Sequence, residues 1–318
     1  MRVLVTGGAG FIGSHICQWA LNQGHEVSVI DDFNDFYDPA IKRKNLKELG
    51  DKIYVVEGDI RDKAAVKRVF LEKPIDSVIH IAARAGVRPS IQNPQLYVET
   101  NVLGTLHLLE ACREQNVKKF VFASTSSIYG VNSKVPFSET DLVQSTLSPY
   151  ASTKLCCEQL CSNYSRLYGM QINCLRFFTV YGPRQRPDLA IHKFALAMLQ
   201  GRSIDQYGDG STRRDYTYID DIVTGVAGAI SYNDTPYEII NLGENETTTL
   251  KQLIELLEKE LGIRADINIL PDQPGDVPVT FADIQKAKRL LNYNPKTKME
   301  SGIKKFVTWL KSQSIRHS

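Results

Sequence analysis

The chain has 318 residues, of which 42% are hydrophobic and 23% are charged, and its formal net charge is +2. This composition is typical of a globular protein with one large domain or two unequal ones. The small net charge gives no reason to expect nucleic acid or a membrane surface as a partner. No apolar run approaches the roughly 18 residues of a membrane span. The N-terminus enters a strand at once and does not resemble a signal peptide, so we expect a cytoplasmic protein.

The N-terminal half alternates short apolar strands with helices. Strands are predicted at 3–6, 26–30, 53–57, 77–81, 120–123 and 172–177, and the first helix is predicted at 11–23. Near-continuous apolar strands between helices indicate a parallel sheet that is covered on both faces. The predicted fold class is therefore α/β, with a doubly wound parallel sheet.

The character of the chain changes after Tyr181-Gly182-Pro183, where loops lengthen and glycine and proline become frequent. Further helices are predicted at 189–200, 249–261 and 301–312. We expect residues 1–180 to form one domain and residues 181–318 a second, smaller one. This boundary is soft, because part of 215–245 could return to the first domain.

A glycine pattern follows the first predicted strand and opens the first predicted helix. Gly7, Gly10 and Gly13 allow a tight turn, a close backbone approach to a pyrophosphate, and packing of the helix on the strand. The N-terminus of the helix, at Phe11 and Ile12, supplies unpaired N–H groups for that pyrophosphate. In this strand–turn–helix context the pattern predicts a dinucleotide site.

An acidic residue ends the second predicted strand, about 20 residues beyond the glycines, where such sites hold a ribose diol. Asp31 is the first candidate and Asp32 the neighbouring one. Because a carboxylate there repels a 2′-phosphate, the sequence predicts NAD in preference to NADP. The alternative is that Asp31 only begins a loop.

The third and fourth predicted strands also end in candidate cofactor residues. Asp59 and Ile60 follow the third strand, where an adenine edge would lie, although Asp59 could equally cap a helix. Ala82 and Ala83 follow the fourth strand, and small residues there suit either close approach to a cofactor or plain packing.

Tyr150 and Lys154 lie four residues apart in a predicted helix, so their side chains share one face. An ammonium beside a phenol lowers its pKa, which would make Tyr150 a general base near neutral pH. The spacing alone is weak evidence, and it gains weight from the glycine pattern in the same chain.

The six cysteines and six histidines are scattered along the chain. The cysteines form no Cys-x-x-Cys pair, and the histidines form no His-x-x-x-His pair. We therefore predict reduced cysteines and no metal site.

Taken together, these residues show that the chain resembles the extended short-chain dehydrogenase/reductase family, and within it the nucleotide-sugar 4-epimerases. The motifs that carry the resemblance occur in the family's order: TGGAGFIGSH at the N-terminus, HIAA at 80–83, NVLGT at 101–105, STSSIYG at 124–130, Tyr150 with Lys154, and RDYTYIDD at 214–221. The resemblance implies a Rossmann-like NAD domain and a smaller C-terminal α/β domain that binds a UDP-sugar. Relatives commonly form dimers through two helices, here 95–115 and the Tyr150 helix, so a homodimer is implied.

The resemblance also implies residue roles. Thr125 takes the position of the catalytic Ser or Thr, which hydrogen-bonds the sugar hydroxyl, and Lys154 also holds the nicotinamide ribose. Arg214 looks like the residue that binds the UDP diphosphate, and Asp276 matches an acid near the uridine ribose. Many relatives carry an Arg just before Gly275, where this chain has Asp-Gln-Pro, so a second phosphate clamp is in doubt.

The residues after Thr125 bear on the reaction. Related 4,6-dehydratases carry an Asp-Glu pair there and UDP-glucuronate decarboxylases carry a Glu, whereas this chain has Ser126 and Ser127. Elimination needs an added acid and base, for which hydroxyls are poor substitutes. The contrast favours simple epimerisation.

Two segments bear on the sugar. Residues 31–39 and residues 178–188 are similar to those of UDP-glucuronate 4-epimerases, and Asn34 in the first segment is also a candidate for binding the cofactor. Thr179, together with the two serines, could donate hydrogen bonds to a sugar carboxylate, and Arg186 could supply a cation. The alternative for Arg186 is a surface ion pair with Asp188.

Weaker candidates for substrate contact are Gly86, Val87 and Arg88. The function implied is NAD-dependent inversion of carbon 4 of UDP-glucuronate, which gives UDP-galacturonate through a transient 4-keto sugar. The alternatives are a UDP-glucose or UDP-N-acetylglucosamine 4-epimerase, a nucleotide-sugar dehydratase or decarboxylase, and an inactive NAD-binding regulator.

Overall fold

The computed structural model describes residues 1–131, 134–271 and 277–314. The strands are β1 (Arg2–Thr6), β2 (Glu26–Asp31), β3 (Ile53–Glu57), β4 (Ser77–His80), β5 (Lys119–Thr125), β6 (Gln171–Phe177), β7 (Thr179–Tyr181), β8 (Ile204–Tyr207), β9 (Arg213–Arg214), β10 (Tyr216–Tyr218), β11 (Tyr237–Leu242), β12 (Thr248–Thr249) and β13 (Ile267–Leu270). The α-helices are α1 (Phe11–Asn22), α2 (Pro39–Lys47), α3 (Lys63–Glu72), α4 (Val87–Gln92), α5 (Pro94–Tyr97), α6 (Gly104–Glu114), α7 (Pro149–Tyr168), α8 (Ala190–Leu199), α9 (Ile219–Ser231), α10 (Leu250–Leu261), α11 (Gln285–Leu291) and α12 (Met299–Ser314).

Within the described ranges, seven strands form one parallel sheet in the order β11-β6-β5-β4-β1-β2-β3. Successive side chains of β1 enter different cores, since Val3 and Val5 pack with α1 and α9, whereas Leu4 packs with α3, α6 and α7. The sheet is therefore covered on both faces, and the predicted fold class is confirmed. The strand order reverses between β1 and β4, and such a reversal is where doubly wound sheets bind ligands.

The predicted strands and most of the predicted helices differ from the observed ones by at most two residues at either end. Residues 95–115 are different, because α5 and α6 are joined by a π-helical turn, Val98–Leu103. The carbonyl of Asn101 in this turn accepts hydrogen bonds from the side chains of Thr105 and Cys157, so side chains take up part of the backbone bonding. The helix expected over 95–115 is present as consecutive helical turns from Pro94 to Glu114, and only the π-helical turn inside it was not predicted.

Residues after Tyr181 form small two-stranded ribbons, in which β10 pairs with β7, β12 with β9, and β13 with β8. Between them the chain returns to the large sheet, where β11 pairs with β6. The helices α8, α10 and α12 contribute Phe194, Leu257 and Phe306 to the same core as α1. In the described part of the chain, no helix is long and apolar enough to cross a membrane.

Candidate active site

A cleft opens at the carboxyl ends of the central strands, beside the point where the strand order reverses. Its walls come from the glycine-rich turn after β1, the ends of β2 to β6, and the first turn of α7. Most of the residues that the sequence singles out line this cleft: Gly7, Gly10, Phe11, Ile12, Gly13, Asp31, Asp32, Asn34, Asp59, Ile60, Ala82, Ala83, Gly86, Thr125, Tyr150, Lys154, Thr179 and Arg186.

The glycine-rich turn leaves no room for side chains at two positions. A Cβ on Gly13 would lie 2.1 Å from the carbonyl oxygen of Gly7. Gly7 itself has φ +67°, and a Cβ there would lie 2.9 Å from the backbone nitrogen of Ala82. This open cradle at the N-terminus of α1 has the shape and the backbone N–H groups that suit the pyrophosphate of a dinucleotide.

Asp31 fastens the glycine-rich turn to the end of β2. Its carboxylate is 6% exposed and accepts hydrogen bonds from the backbone N–H groups of Ala9 and Phe33, each at 3.0 Å. Burial raises the pKa of Asp31, and these hydrogen bonds oppose the shift. Asp31 thus both shapes the turn and lines the cleft, so it does more than begin a loop.

The catalytic candidates meet where β5 ends and α7 begins. The helix starts sharply, because Ser148 caps it by accepting from Ala151 N at 3.2 Å. Its first turns therefore direct Tyr150 and Lys154 toward β5, which carries Thr125 at its end. Lys154 is 3% exposed and donates from Nζ to the carbonyl oxygen of Ala123 at 2.7 Å.

The expectation that Lys154 lowers the pKa of Tyr150 stays a prediction, since the groups that shift this pKa in the folded chain do not include Lys154. Burial raises the pKa of Tyr150 above its usual value, while a hydrogen bond with Thr125 and the charge of Arg186 act in the opposite direction. Burial also lowers the pKa of Lys154 to about 8. The physical reason is that the Lys154 ammonium bonds to the backbone of β5 in a dry environment, where its own charge is disfavoured.

Lys154→Met is expected to raise the free energy of unfolding while it abolishes turnover. Burial lowers the pKa of Lys154 from the usual 10.5 to about 8, which corresponds to a cost of about 3 kcal/mol for the charged form. The lost hydrogen bond to Ala123 offsets part of this gain. Because the folded pKa lies below the unfolded one, the cost is fully present below the folded pKa and fades as pH rises toward the unfolded value.

The measurement is urea unfolding of the nucleotide-free wild type and variant at two pH values. The stability advantage of the variant should be ~2 kcal/mol smaller near pH ~9.5 than near pH ~7. An advantage that does not change with pH would contradict the buried-ammonium account.

Arg186 combines the two interpretations that the sequence left open. Its guanidinium pairs with Asp188, with Nη2 to Oδ2 at 2.7 Å and Nε to Oδ1 at 2.9 Å. It also lies 5.1 Å from the centre of the Phe36 ring, is 19% exposed, and lines the cleft near Thr179. The ion pair exists, yet it places a cation in the wall of the cleft.

Several candidates do not line the cleft: Val87, Arg88, Ser126, Ser127 and Arg214. Ser127 accepts a hydrogen bond from Thr125 Oγ1 at 3.2 Å, behind the catalytic hydroxyl. The Arg88 guanidinium lies 4.9 Å from the centre of the Tyr207 ring, and Arg214 donates to the carbonyl of Arg213. Asp276 lies outside the described residues, as do its neighbours Asp272-Gln273-Pro274-Gly275.

Five polar residues of the cleft were missed: Tyr37, Lys42, Arg84, Thr100 and Ser124. Tyr37 lies within the segment 31–39 and Ser124 within the motif at 124–130. Arg84 and Thr100 lie directly beside the motifs at 80–83 and 101–105, so position relative to the motifs could have found all four. Lys42 belongs to α2, where the sequence carries no signal that separates it from its lysine and arginine neighbours.

A buried ion pair supports the catalytic strand from behind. Arg176 on β6 donates two hydrogen bonds to Glu158 on α7, at 2.9 and 2.8 Å, and Ser124 donates to the same carboxylate at 2.6 Å. Because all three side chains are buried, the ends of β5 and β6 are fixed against the helix that carries Tyr150.

In the described part of the chain, no group of three or more His, Cys, Asp or Glu side chains could hold a metal ion. All six cysteines are described and unpaired, and only Cys156 among them is exposed.

Comparison with known proteins identifies the family of the chain. The model of the family described as GDP-mannose 4,6 dehydratase matches residues 4–306. A UDP-glucuronate 4-epimerase of Thermodesulfobacterium geofontis is 45% identical over 311 residues, covering 97% of this chain and 95% of the relative.

Two solved structures are similar over nearly their whole length. UDP-glucuronic acid 4-epimerase from Bacillus cereus, in complex with UDP-glucuronic acid and NAD, is 39% identical with a TM-score of 0.90, covering 98% of this chain and 100% of that one. UDP-glucose 4-epimerase from Thermotoga maritima, with UDP-glucose, is 35% identical with a TM-score of 0.92, covering 99% and 100%. The resemblance seen in the motifs is confirmed, and the chain belongs to the extended short-chain dehydrogenase/reductases that the GDP-mannose 4,6 dehydratase family model describes.

Proposed function

We propose that this protein is an NAD-dependent 4-epimerase of a UDP-hexuronic acid, which interconverts UDP-glucuronate and UDP-galacturonate. The observation that carries the proposal is the convergence of Thr125, Tyr150 and Lys154 on a cleft that also contains a dinucleotide cradle. The similarity to epimerases that act on UDP-glucuronate supports the choice of sugar.

The reaction begins and ends at the hydroxyl on carbon 4. When bound, NAD supplies an oxidised nicotinamide that accepts hydride from carbon 4 and whose positive charge favours the Tyr150 phenolate. Tyr150 removes the hydroxyl proton, and Thr125, which favours the charged form of Tyr150, holds the sugar oxygen. The 4-keto sugar turns over about its diphosphate linkage, and hydride and proton return to the opposite face.

The residues that follow Thr125 favour epimerisation over dehydration. The residues after Thr125 are serines, and neither Ser126 nor Ser127 lines the cleft. Elimination of water requires a carboxylic acid and a base beside carbons 5 and 6, and the residues expected to supply them are absent from this segment.

A hexuronic acid makes a particular demand, because its 4-keto form is a β-keto acid that loses carbon dioxide readily. Loss requires the bond to the carboxylate to align with the carbonyl π-system. A carboxylate held out of that alignment is protected, and Arg186 with Thr179 offers a cation and a hydroxyl on the same wall for this task.

The decisive experiment incubates the purified protein with UDP-glucuronate, UDP-glucose and UDP-N-acetylglucosamine, and identifies the products by mass and NMR. We expect UDP-glucuronate to give a product of unchanged mass with carbon 4 inverted, at a kcat/KM at least ~100-fold above that for the neutral sugars. Turnover of the neutral sugars alone would show that the substrate is a neutral UDP-sugar and not UDP-glucuronate. A product that has lost water would indicate a dehydratase, and one that has lost carbon dioxide would indicate a decarboxylase.

The oligomeric state, the location in the cell and the roles of the two domains are also proposals. We propose a homodimer formed through α7 and the segment 95–115, where Val98, Leu103 and Cys156 are exposed. We propose a cytoplasmic location, since unpaired cysteines are typical of reducing compartments.

We also propose that 1–180 binds NAD and that 181–318 binds the UDP-sugar, with β11 returning to the first domain.

A further inference from the structure

Arg84, in the loop after β4, carries a positive charge on the cofactor side of the cleft. Its side chain is only 14% exposed. Nη1 donates to Asn34 Oδ1 at 3.2 Å, and Nη2 lies 4.0 Å from the carboxylate of Asp32. Because Asn34 and Asp32 belong to the loop after β2, the guanidinium joins two loops that are far apart in the sequence.

The position of this bridge follows from the strand order. In the sheet, β1 lies between β4 and β2, so the glycine-rich turn after β1 is flanked by the loops that carry Arg84 and Asn34. The bridge therefore spans the cleft at the turn whose backbone is shaped for a diphosphate.

The Arg84 end of the bridge is fixed by an amide. Asn101 Oδ1 accepts from the backbone N–H of Arg84 at 2.8 Å, and Asn101 Nδ2 donates to the Arg84 carbonyl at 3.0 Å. Asn101 is 1% exposed, and its Nδ2 also donates to Thr153 Oγ1 at 3.0 Å. Thr153 precedes Lys154 on α7, so the backbone of Arg84 is held against the catalytic helix and only its side chain is free to swing.

The Asn34 end is fixed as well. Lys42 donates from Nζ to the Asn34 carbonyl at 2.9 Å, and Asn34 Nδ2 donates to Asp32 Oδ1 at 2.5 Å. Phe33 has φ +45°, which is uncommon for a bulky residue and marks a turn that its surroundings hold in place.

Electrostatics explain why a cation is useful here. The cofactor half of the cleft contains the carboxylates of Asp31, Asp32 and Asp59, and a diphosphate adds two more negative charges. Burial lowers the pKa of Lys42, and its ammonium already donates a hydrogen bond to the Asn34 carbonyl. Arg84 adds a planar guanidinium cation beside these groups.

We propose that Arg84 and Asn34 form a clasp that closes over bound NAD and must open before NAD can leave. An epimerase regenerates oxidised NAD in every cycle, so slow release keeps the enzyme ready for the next substrate. The proposal rests on the NAD-dependent function proposed above, but its test measures NAD release without substrate, so each can fail while the other stands.

The experiment loads the holoenzyme with radiolabelled NAD, adds excess unlabelled NAD, and follows loss of protein-bound label. Arg84→Gln is expected to release NAD about 10- to 100-fold faster than wild type, the range expected for loss of a charge-assisted hydrogen bond. Arg84→Lys keeps the charge without the planar fork, so its rate should fall between the two. It also provides a measurable rate if the Gln variant loses label during preparation.

Arg184→Gln is the matched control. Arg184 is also 14% exposed and pairs with Glu48 at 3.3 Å, but it does not line the cleft. Arg184→Gln should release NAD at the wild-type rate. Its melting temperature, compared with that of Arg84→Gln, shows whether loss of an ion pair of similar exposure destabilises the protein equally. Release from Arg84→Gln within about two-fold of this control would overturn the proposal.

A double-mutant cycle tests the clasp itself. If the two residues act together, Arg84→Gln, Asn34→Ala and the double variant should release NAD at similar rates, because either change opens the same bridge. Rates that multiply in the double variant would show that Arg84 and Asn34 act independently, and the clasp would be rejected.

Discussion

Tyr150→Phe is expected to reduce turnover at least ~1000-fold while the protein keeps its NAD. The variant keeps the ring, which packs edge-to-face against Tyr97 at 6.3 Å, and loses only the hydroxyl that must carry the proton. The hydroxyl lies in the cleft wall with Thr125 and Lys154, and the structure offers no second phenol among the described residues that line the cleft except Tyr37. The measurement combines epimerisation rate by NMR with the NAD content of the purified protein.

The control is Tyr164→Phe on the same helix. Tyr164 hydrogen-bonds Glu110 away from the cleft, so its variant should retain wild-type turnover. Near-normal turnover in Tyr150→Phe would remove Tyr150 from the mechanism. Loss of both turnover and bound NAD would instead mean that the hydroxyl supports the cofactor and would leave the identity of the base open.

The pH dependence of kcat is a second test of Tyr150 as the general base. Burial raises the pKa of Tyr150 in the chain alone, and Thr125 and Arg186 oppose this shift. Turnover should therefore increase with pH until the phenolate predominates, and Arg186→Ala should move that rise to higher pH.

The sequence predicted the parts of the site that are built from neighbours along the chain. Gly7 and Gly13 follow from the local needs of a turn between a strand and a helix, and Asp31 follows from the length of one strand–helix–strand unit. Tyr150 and Lys154 follow from helical spacing. Each of these patterns is complete within about 30 residues, so the chain alone contains the information.

The rest depends on contacts between distant segments. Arg84 meets Asn34 across the end of β1, and no spacing along the chain reports this contact. The hydrogen bond from Lys154 to the Ala123 carbonyl joins α7 to β5, and the spacing of Tyr150 and Lys154 does not predict it. The π-helical turn at Val98–Leu103 depends likewise on Cys157, more than 50 residues away.

Arg186→Ala is expected to lower kcat/KM for UDP-glucuronate about 100-fold or more, and to do so far more than for UDP-glucose. The reason is that a neutral hexose has no carboxylate for the guanidinium to hold. The comparison between the two sugars separates this role from damage to the fold, which would affect both equally. Arg184→Ala, two residues earlier and paired with Glu48 outside the cleft, should change neither value.

The products of Arg186→Ala should also change. With its carboxylate released, the 4-keto uronic acid can align the bond between carbon 5 and the carboxyl carbon with the carbonyl π-system and lose carbon dioxide. The hydride then has no uronic acid to return to, so each such event leaves NADH on the protein and releases a UDP-4-keto-pentose. NADH absorbance and product mass would both report this leak. If the variant shows neither a leak nor a selective loss of UDP-glucuronate turnover, the carboxylate is held elsewhere, and the pair of Arg186 with Asp188 serves only to position the loop after β7.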